Sequence, residues 1–187
     1  MTVRLGETKK TLKDSAFWKI LLKTEQALMI ICSSAMALLI VFNVVLRYVF
    51  NQNFYGSEEI ILIFAFWLYF LGAAYGSMEN SHIKADLANV YIKNQRAKEG
   101  VALIAMMVTT TVNLIILKWA LDYMIWDIIK MPKSTGLKIP LIVPQSAIFV
   151  GLALMAFYHV YYLVTGLRAY FKNEPPPAAV EERGENE

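Results

Sequence analysis

The segment "ALMIICSSAMALLIVF", residues 27–42, decides the fold class of this chain. It has no charged side chain and no polar face at the 3.6-residue period that a helix on the surface of a soluble domain needs. The segment "IILIFAFWLYFLGAA", residues 60–74, is apolar on all sides in the same way. Such segments are typical of helices surrounded by lipid, so they predict an integral membrane protein.

Charged residues are absent from four long stretches of the chain, and 57% of its 187 residues are hydrophobic. That share exceeds the roughly 45–50% of an average soluble domain. A helix needs about 20 mainly apolar residues to cross the hydrocarbon layer. We therefore predict an all-α integral membrane fold with a transmembrane domain at residues 26–170. Its four transmembrane helices are predicted at about residues 26–49, 58–78, 100–121 and 140–166.

Three further segments flank or connect these spans. Residues 1–25 are basic and half apolar, which favours an amphipathic helix in the cytoplasmic interface, although a plain basic flank would have the same composition. Residues 80–100 repeat apolar side chains at helical spacing and predict a second interfacial helix. Residues 171–187 are rich in proline and then in glutamate, which predicts a disordered cytoplasmic tail. The side chains predicted at the cytoplasmic interface are Trp18, His82, Asp86 and His159.

Lysine and arginine are distributed unevenly between the two ends of the spans. The N-terminal segment, the second loop and the C-terminal segment together carry 13 of them, whereas the first and third loops carry five. Cytoplasmic segments are enriched in these residues, so we predict that both termini are cytoplasmic. The net charge of +3 favours attraction to lipid headgroups and gives no reason to expect a nucleic acid as partner.

Three charged residues lie between the first two spans. Arg47 follows the first uncharged stretch, and Glu58 and Glu59 precede the second, with Asn43 one turn deeper. Pairing at the non-cytoplasmic edge would lower the cost of placing charge near hydrocarbon. We therefore predict a charge clasp or a docking contact here. The alternatives are side chains that reach the interface independently of one another, and an ion pathway.

The motif "GAAYG", residues 72–76, places Gly72 and Gly76 on one helix face with Ala73 beside them. Small residues at this spacing let a second helix approach closely. The motif therefore predicts a packing face, either within the four-helix domain or against another subunit.

Polar side chains inside the spans have competing interpretations. The hydroxyls of residues 109–111 either bond back to their own helix, the commoner case, or meet a neighbouring helix together with Asn113. His82 and His159 are the only histidines and suggest a haem with two axial ligands, but the tyrosines around His159 favour an aromatic belt. No other metal or catalytic motif is present, so we predict neither a cofactor nor an enzyme activity.

The middle of each predicted span lacks acidic and basic side chains. Transporters that work alone use such groups, or interrupted helices, to bind and move their substrates. The pattern therefore favours a membrane protein that acts together with a partner.

Five segments, in this order, resemble the small membrane subunit of the tripartite ATP-independent periplasmic (TRAP) transporters. They are "NVVLRYVFN" (43–51), "EEI" (58–60), "FLGAAYG" (70–76), "SHIKADL" (81–87) and "STGLKIPLIVP" (134–144). The resemblance covers about residues 15–170. One departure is that Gly56 and Ser57 precede the paired acids, where the family often has a tryptophan.

The resemblance implies a non-catalytic scaffold subunit of a sodium-driven symporter in the bacterial inner membrane. Its partners would be a large membrane subunit, in a heterodimer, and a periplasmic substrate-binding protein. The large subunit would carry the sodium ions and an organic acid, such as a dicarboxylate or sialic acid, by an elevator-type movement. Two other classes remain as alternatives from the residues alone. They are a self-contained small four-helix exporter, which needs a membrane-embedded glutamate, and a membrane cytochrome subunit, which needs a haem.

Overall fold

The structure is a computed structural model that describes residues 16–79 and 95–172. The described residues form four helices. They are α1 (Ala16–Val49), α2 (Ser57–Glu79), α3 (Gln95–Lys130) and α4 (Ile142–Lys172). Each helix contains a stretch long and apolar enough to cross a membrane, which confirms the predicted all-α fold with four spans.

The helix ends follow from local sequence. Gly56 precedes α2 with a φ of 83°, and α2 then carries two acids in its first turn, where they complement the helix dipole. Met131 follows α3 with a φ of 43°, and Pro132 then prevents the helix from continuing. Pro144 lies in the first turn of α4, where the missing N–H donor is not needed.

The helices are longer than the hydrocarbon layer requires. With 34 residues, α1 is about 51 Å long at 1.5 Å per residue, against a layer of about 30 Å. It begins at Ala16 and passes position 25 without a break, so residues 16–25 are continuous with the first span. Similarly, α3 continues beyond position 121 to Lys130. Residues 1–15, 80–94 and 173–187 lie outside the described residues, and so do the predicted interfacial positions His82 and Asp86.

The four helices form an open row in the order α1, α2, α4, α3. Helix α2 packs against α1 and α4, and α4 also packs against α3. Within the described residues, the backbones of α1 and α3 are not adjacent, so the row does not close into a ring. The beginning of α1 also reaches α4 through side chains. Many side chains of α1 consequently remain exposed and apolar, including Leu38, Val41 and Phe42 at 70%, 60% and 53%.

One close helix contact is between α2 and α4. A Cβ atom at Gly151 would lie 2.7 Å from Phe70 Cβ and 2.8 Å from the Phe70 carbonyl oxygen. One turn earlier, Ala147 is also buried. Only small side chains let two backbones approach this closely in a membrane, so these two positions set the centre of the row.

The row has a loop end and a terminal end. The loop end contains the α1–α2 connection, residues 50–56, and the α3–α4 connection, residues 131–141. The terminal end contains the beginning of α1 and the ends of α2 and α4. A small core of buried residues lies there, formed by Trp18, Ala74, Met78 and Tyr158.

Candidate functional site

The α3–α4 connection at the loop end is a tight turn held by its own backbone. Lys133 and Pro140 face each other as an isolated antiparallel bridge. The Ser134 amide donates to the Ile139 carbonyl at 2.9 Å, and the Leu141 amide donates to the Pro132 carbonyl at 2.9 Å. These bonds fix the backbone of the residues between them.

The carboxylate of Glu59, in the first turn of α2, is bound by this turn. The Ser134 hydroxyl donates to Oε2 at 2.6 Å, the Gly136 amide donates to Oε1 at 2.7 Å, and the Leu137 amide donates to Oε2 at 2.8 Å. Hydrogen bonds to a charged acceptor are shorter and stronger than neutral ones. Glu59 therefore joins the first hairpin to the second.

Two glycines permit this contact. A Cβ atom at Gly136 would lie 2.8 Å from Glu59 Oε1, inside contact distance, so a larger residue would displace the carboxylate. Gly56 has a φ of 83°, and a Cβ atom there would collide with Leu137 Cγ. At both positions, the absence of a side chain lets α2 dock closely onto the turn.

The structure does not bring Arg47 to the glutamates. The Arg47 guanidinium lies 6.0 Å from the ring centroid of Tyr48, and no ion pair links it to Glu58 or Glu59 within residues 16–79 and 95–172. Glu58 is exposed and Asn43 is half-buried. Glu59 is thus held by the α3–α4 turn instead of by Arg47, whereas a docking contact at this edge stays a prediction.

The sequence contained a signal for the observed pairing. Glu59 belongs to "EEI", and its donors belong to "STGLKIPLIVP", two of the five segments that carried the resemblance. An acid at the start of one helix can be matched by a Ser–Thr–Gly turn as well as by a cation, because the turn offers a hydroxyl and free backbone amides. The residues alone pointed first to the nearest cation.

A second carboxylate at the loop end, Asp127, is buried and was missed by the sequence reasoning. It is 1% exposed and lies in the last turn of α3. With its amide nitrogen towards this carboxylate, Gln145 donates to Asp127 Oδ1 at 2.9 Å, and its oxygen accepts from the Tyr123 hydroxyl at 2.7 Å. This orientation gives hydrogen-bond partners to the Gln145 amide, the Asp127 carboxylate and the Tyr123 hydroxyl. The opposite orientation places the amide oxygen against the carboxylate. Asp127 therefore docks the end of α3 onto the start of α4.

A third carboxylate, Glu25, is buried at the terminal end. The Tyr158 hydroxyl donates to Glu25 Oε1 at 2.6 Å, and both residues are at most 2% exposed. Trp18, predicted as an interfacial side chain, is itself buried, and its ring centroid lies 5.4 Å from that of Tyr158. Glu25 Oε2 and Trp18 Nε1 have no hydrogen-bond partner among the described residues. The cluster attaches the beginning of α1 to α4.

The three residues of the predicted packing face on α2 differ in their burial and contacts. A Cβ atom at Gly72 would lie 3.8 Å from Met29 Sδ of α1, an ordinary contact distance. Ala73 is exposed and Gly76 is half-buried. Gly72 thus packs inside the row, and contact of this face with another subunit stays a prediction. The tighter contact at Ala147 and Gly151 was missed, although the two form the same small-xxx-small spacing.

The polar side chains of α3 mostly bond within that helix. The hydroxyls of Thr109, Thr110 and Thr111 donate to the carbonyls four residues earlier at 2.7–2.9 Å, which confirms the back-bonding interpretation. Asn113 Nδ2 lies 3.1 Å from His159 Nδ1, a contact between α3 and α4. The proposed haem ligand His159 therefore has a protein partner for one ring nitrogen.

Residues 36–169 match the family model described as "Tripartite ATP-independent periplasmic transporters, DctQ component". The C4-dicarboxylate TRAP transporter small permease protein DctQ of Vibrio cholerae is 28% identical over 156 residues, which cover 71% of this chain and 66% of that protein. A TRAP transporter small permease protein of Haemophilus influenzae is 46% identical over 65 residues, or 33% of this chain and 40% of that protein. The chain thus spans less than two thirds of the length of either relative.

Proposed function

Because this chain belongs to the DctQ component family of the tripartite ATP-independent periplasmic transporters, we propose that it is the scaffold subunit of a sodium-driven organic-acid transporter. The family match over residues 36–169 confirms the resemblance inferred from the sequence. The family is a transporter component, and with four spans the chain is a multi-pass protein of the inner membrane.

The open row of helices is the observation that carries the scaffold assignment. Helices α1 and α3 stand at opposite ends of the row, so the described helices enclose no central passage for a substrate. We infer from this that substrate and ions move through another chain. We therefore assign transport to a large membrane subunit that packs against this row in a heterodimer and moves as an elevator beside it.

The substrate and the ions are assigned to the partners in this proposal. The Vibrio cholerae relative is named for C4-dicarboxylates, which supports a small organic acid such as a dicarboxylate, with sialic acid as the other candidate. The sodium ions would bind to the large subunit, and this chain would bind no cofactor. A periplasmic substrate-binding protein would deliver the acid.

The loop end supplies a candidate docking edge for that binding protein. In the proposed orientation both termini are cytoplasmic, so residues 50–56 and 131–141 face the periplasm. The bonds from Glu59 to the α3–α4 turn hold the two loops of this edge together. A rigid edge of this kind would suit repeated binding and release of a soluble partner.

Reconstitution of uptake tests the assignment directly. Vesicles would contain the large subunit with or without this chain, together with the loaded binding protein and a sodium gradient. We expect uptake of the acid only when all three proteins and the gradient are present, and we expect a tag on this chain to recover the large subunit. Full uptake without this chain, or transport by this chain alone, would refute the scaffold role.

A further inference from the structure

We propose that the Ser134–Leu137 turn is a carboxylate-binding site in its own right, with Glu59 as its resident ligand, and that the carboxylate of another molecule can take the place of Glu59. The proposal concerns the chemistry of the turn and does not depend on the transport role. Its ligand class is a carboxylate, either on a free organic acid or on an acidic side chain of a protein at the loop end.

The donors recognise both oxygens of a carboxylate. One oxygen accepts from the Gly136 amide at 2.7 Å, and the other accepts from the Ser134 hydroxyl at 2.6 Å and the Leu137 amide at 2.8 Å. Successive backbone amides in a turn form a concave anion site. Because the donors engage two oxygens at once, a planar carboxylate satisfies them all, whereas a chloride ion would leave some unused.

The donors are arranged without help from Glu59. The Ile139 amide donates to Ser134 Oγ at 3.0 Å, which leaves the hydroxyl hydrogen free to point at the anion. The Ser134 amide and the Leu141 amide make backbone bonds across the turn at 2.9 Å. Since these bonds lie within residues 132–141, the site stays formed when the carboxylate of α2 leaves it.

The site is half-buried, and exposed residues that include two lysines flank it. Leu137 is 39% exposed, and Thr135, Lys133 and Lys138 are exposed beside it. Exposed lysines raise the local concentration of anions and speed their arrival. An incoming carboxylate would therefore meet exposed, positively charged residues next to the donors.

Competition with Glu59 determines the concentration at which another carboxylate can exchange into the site. A group held on the same chain acts at an effective concentration on the order of millimolar or above. A free acid at lower concentration will not displace it, but the acidic side chain of a protein already bound at the loop end has a similar advantage. Removal of the Glu59 carboxylate should leave the site open to either source.

Thermal unfolding of the purified full-length chain in nanodiscs tests the proposal. The variant Glu59→Ala is compared with the matched control Glu58→Ala, which removes the neighbouring exposed acid, in sodium acetate and in sodium chloride at equal ionic strength. We expect acetate to raise the unfolding temperature of E59A by several degrees, to have little effect on E58A, and to lose its effect when Ser134→Ala is added to E59A. An equal response of E59A and E58A to acetate would overturn the proposal.

Two further arms keep the test decisive. If E59A does not fold, Glu59→Gln keeps the side-chain volume, and acetate must stabilise it more than it stabilises Glu58→Gln. To identify the source, succinate and a short peptide with one glutamate are compared with the same peptide carrying glutamine. Protection of the Gly136 and Leu137 amides from hydrogen exchange by either acid supports the proposal and names the source, whereas protection by neither contradicts it.

Discussion

Glu25 and Tyr158 are 133 positions apart in the chain, yet the Tyr158 hydroxyl donates to Glu25 Oε1 at 2.6 Å with both side chains buried. The bond crosses from α1 to α4, which are not neighbours in the row. A buried carboxylate is costly to leave without hydrogen bonds. This pair therefore fixes the beginning of α1 over the groove between α2 and α4.

Replacement of Tyr158 by phenylalanine should destabilise the chain by about 1–3 kcal/mol, because Glu25 would lose its hydrogen-bond donor while staying buried. Thermal unfolding in detergent measures the loss. Tyr161→Phe is the matched control, since the Tyr161 ring also contacts Trp18, at a centroid distance of 5.2 Å, and its hydroxyl bonds to none of the described groups. Equal losses in both variants would show that the hydroxyl of Tyr158 contributes nothing specific.

Gly56→Ala should cost on the order of 1–3 kcal/mol, since the position has a φ of 83° and an added Cβ collides with Leu137. Gly100→Ala is the control, because nothing lies within 4 Å of a Cβ there and alanine favours the helix by up to about 1 kcal/mol. Chemical denaturation of the two variants should shift in opposite directions. A tolerated alanine at position 56 would contradict the observed docking of the turn.

Gly151→Ala should separate α2 from α4, because its Cβ would lie 2.7 Å from Phe70 Cβ. We expect a fall in unfolding temperature of several degrees and a lower yield of folded protein. Gly72→Ala should be tolerated, since the nearest atom, Met29 Sδ, is 3.8 Å away. A loss of stability in Gly72→Ala as large as that in Gly151→Ala would contradict the ordinary contact distance at Gly72.

Gln145→Leu should destabilise the α3–α4 contact by about 1–3 kcal/mol, since it removes the amide that faces the buried Asp127 carboxylate. Gln26→Leu is the matched substitution at an exposed position, where the amide donates to the Tyr75 hydroxyl at 2.8 Å. Its effect on thermal unfolding should be smaller. A larger effect at Gln26 would indicate that Asp127 does not depend on the amide of Gln145.

The proposed orientation can be checked by cysteine labelling in whole cells. Cys32 is the sole cysteine, so a Cys32→Ala background gives a blank chain. A membrane-impermeant maleimide should then label Thr135→Cys at the loop end but not Phe171→Cys at the terminal end, where Phe171 is 79% exposed. After the cells are lysed, both positions should react. Labelling of position 171 alone in intact cells would show that the topology is the reverse of the proposed one.

The sequence predicted the spans because their signal is local. Uncharged stretches of about 20 residues need no knowledge of distant contacts. Glu25 shows the opposite case. It ended a basic amphipathic segment and gave no sign of burial, because its partner Tyr158 is on the last helix.

Glu59 lies between these cases. Its position at the edge of a span was evident, and a search for a compensating charge pointed to Arg47. The actual donors include two backbone amides, at Gly136 and Leu137, which have no side-chain signature. Asp127 was missed for a similar reason, since a neutral glutamine, Gln145, faces it instead of a cation. Pairing by charge is therefore a poor guide where turns and amides can bind a carboxylate.

The open row of α1, α2, α4 and α3 has a consequence for assembly. A closed bundle hides one side of every helix, whereas an open row leaves more apolar helix surface in contact with lipid when it is alone. Docking of another chain onto one side then releases a whole layer of ordered lipid tails at once. Lipid entropy is one of the forces that drive helix association in membranes. An open row of helices thus offers a partner in the bilayer a larger contact area than a closed bundle of the same helices.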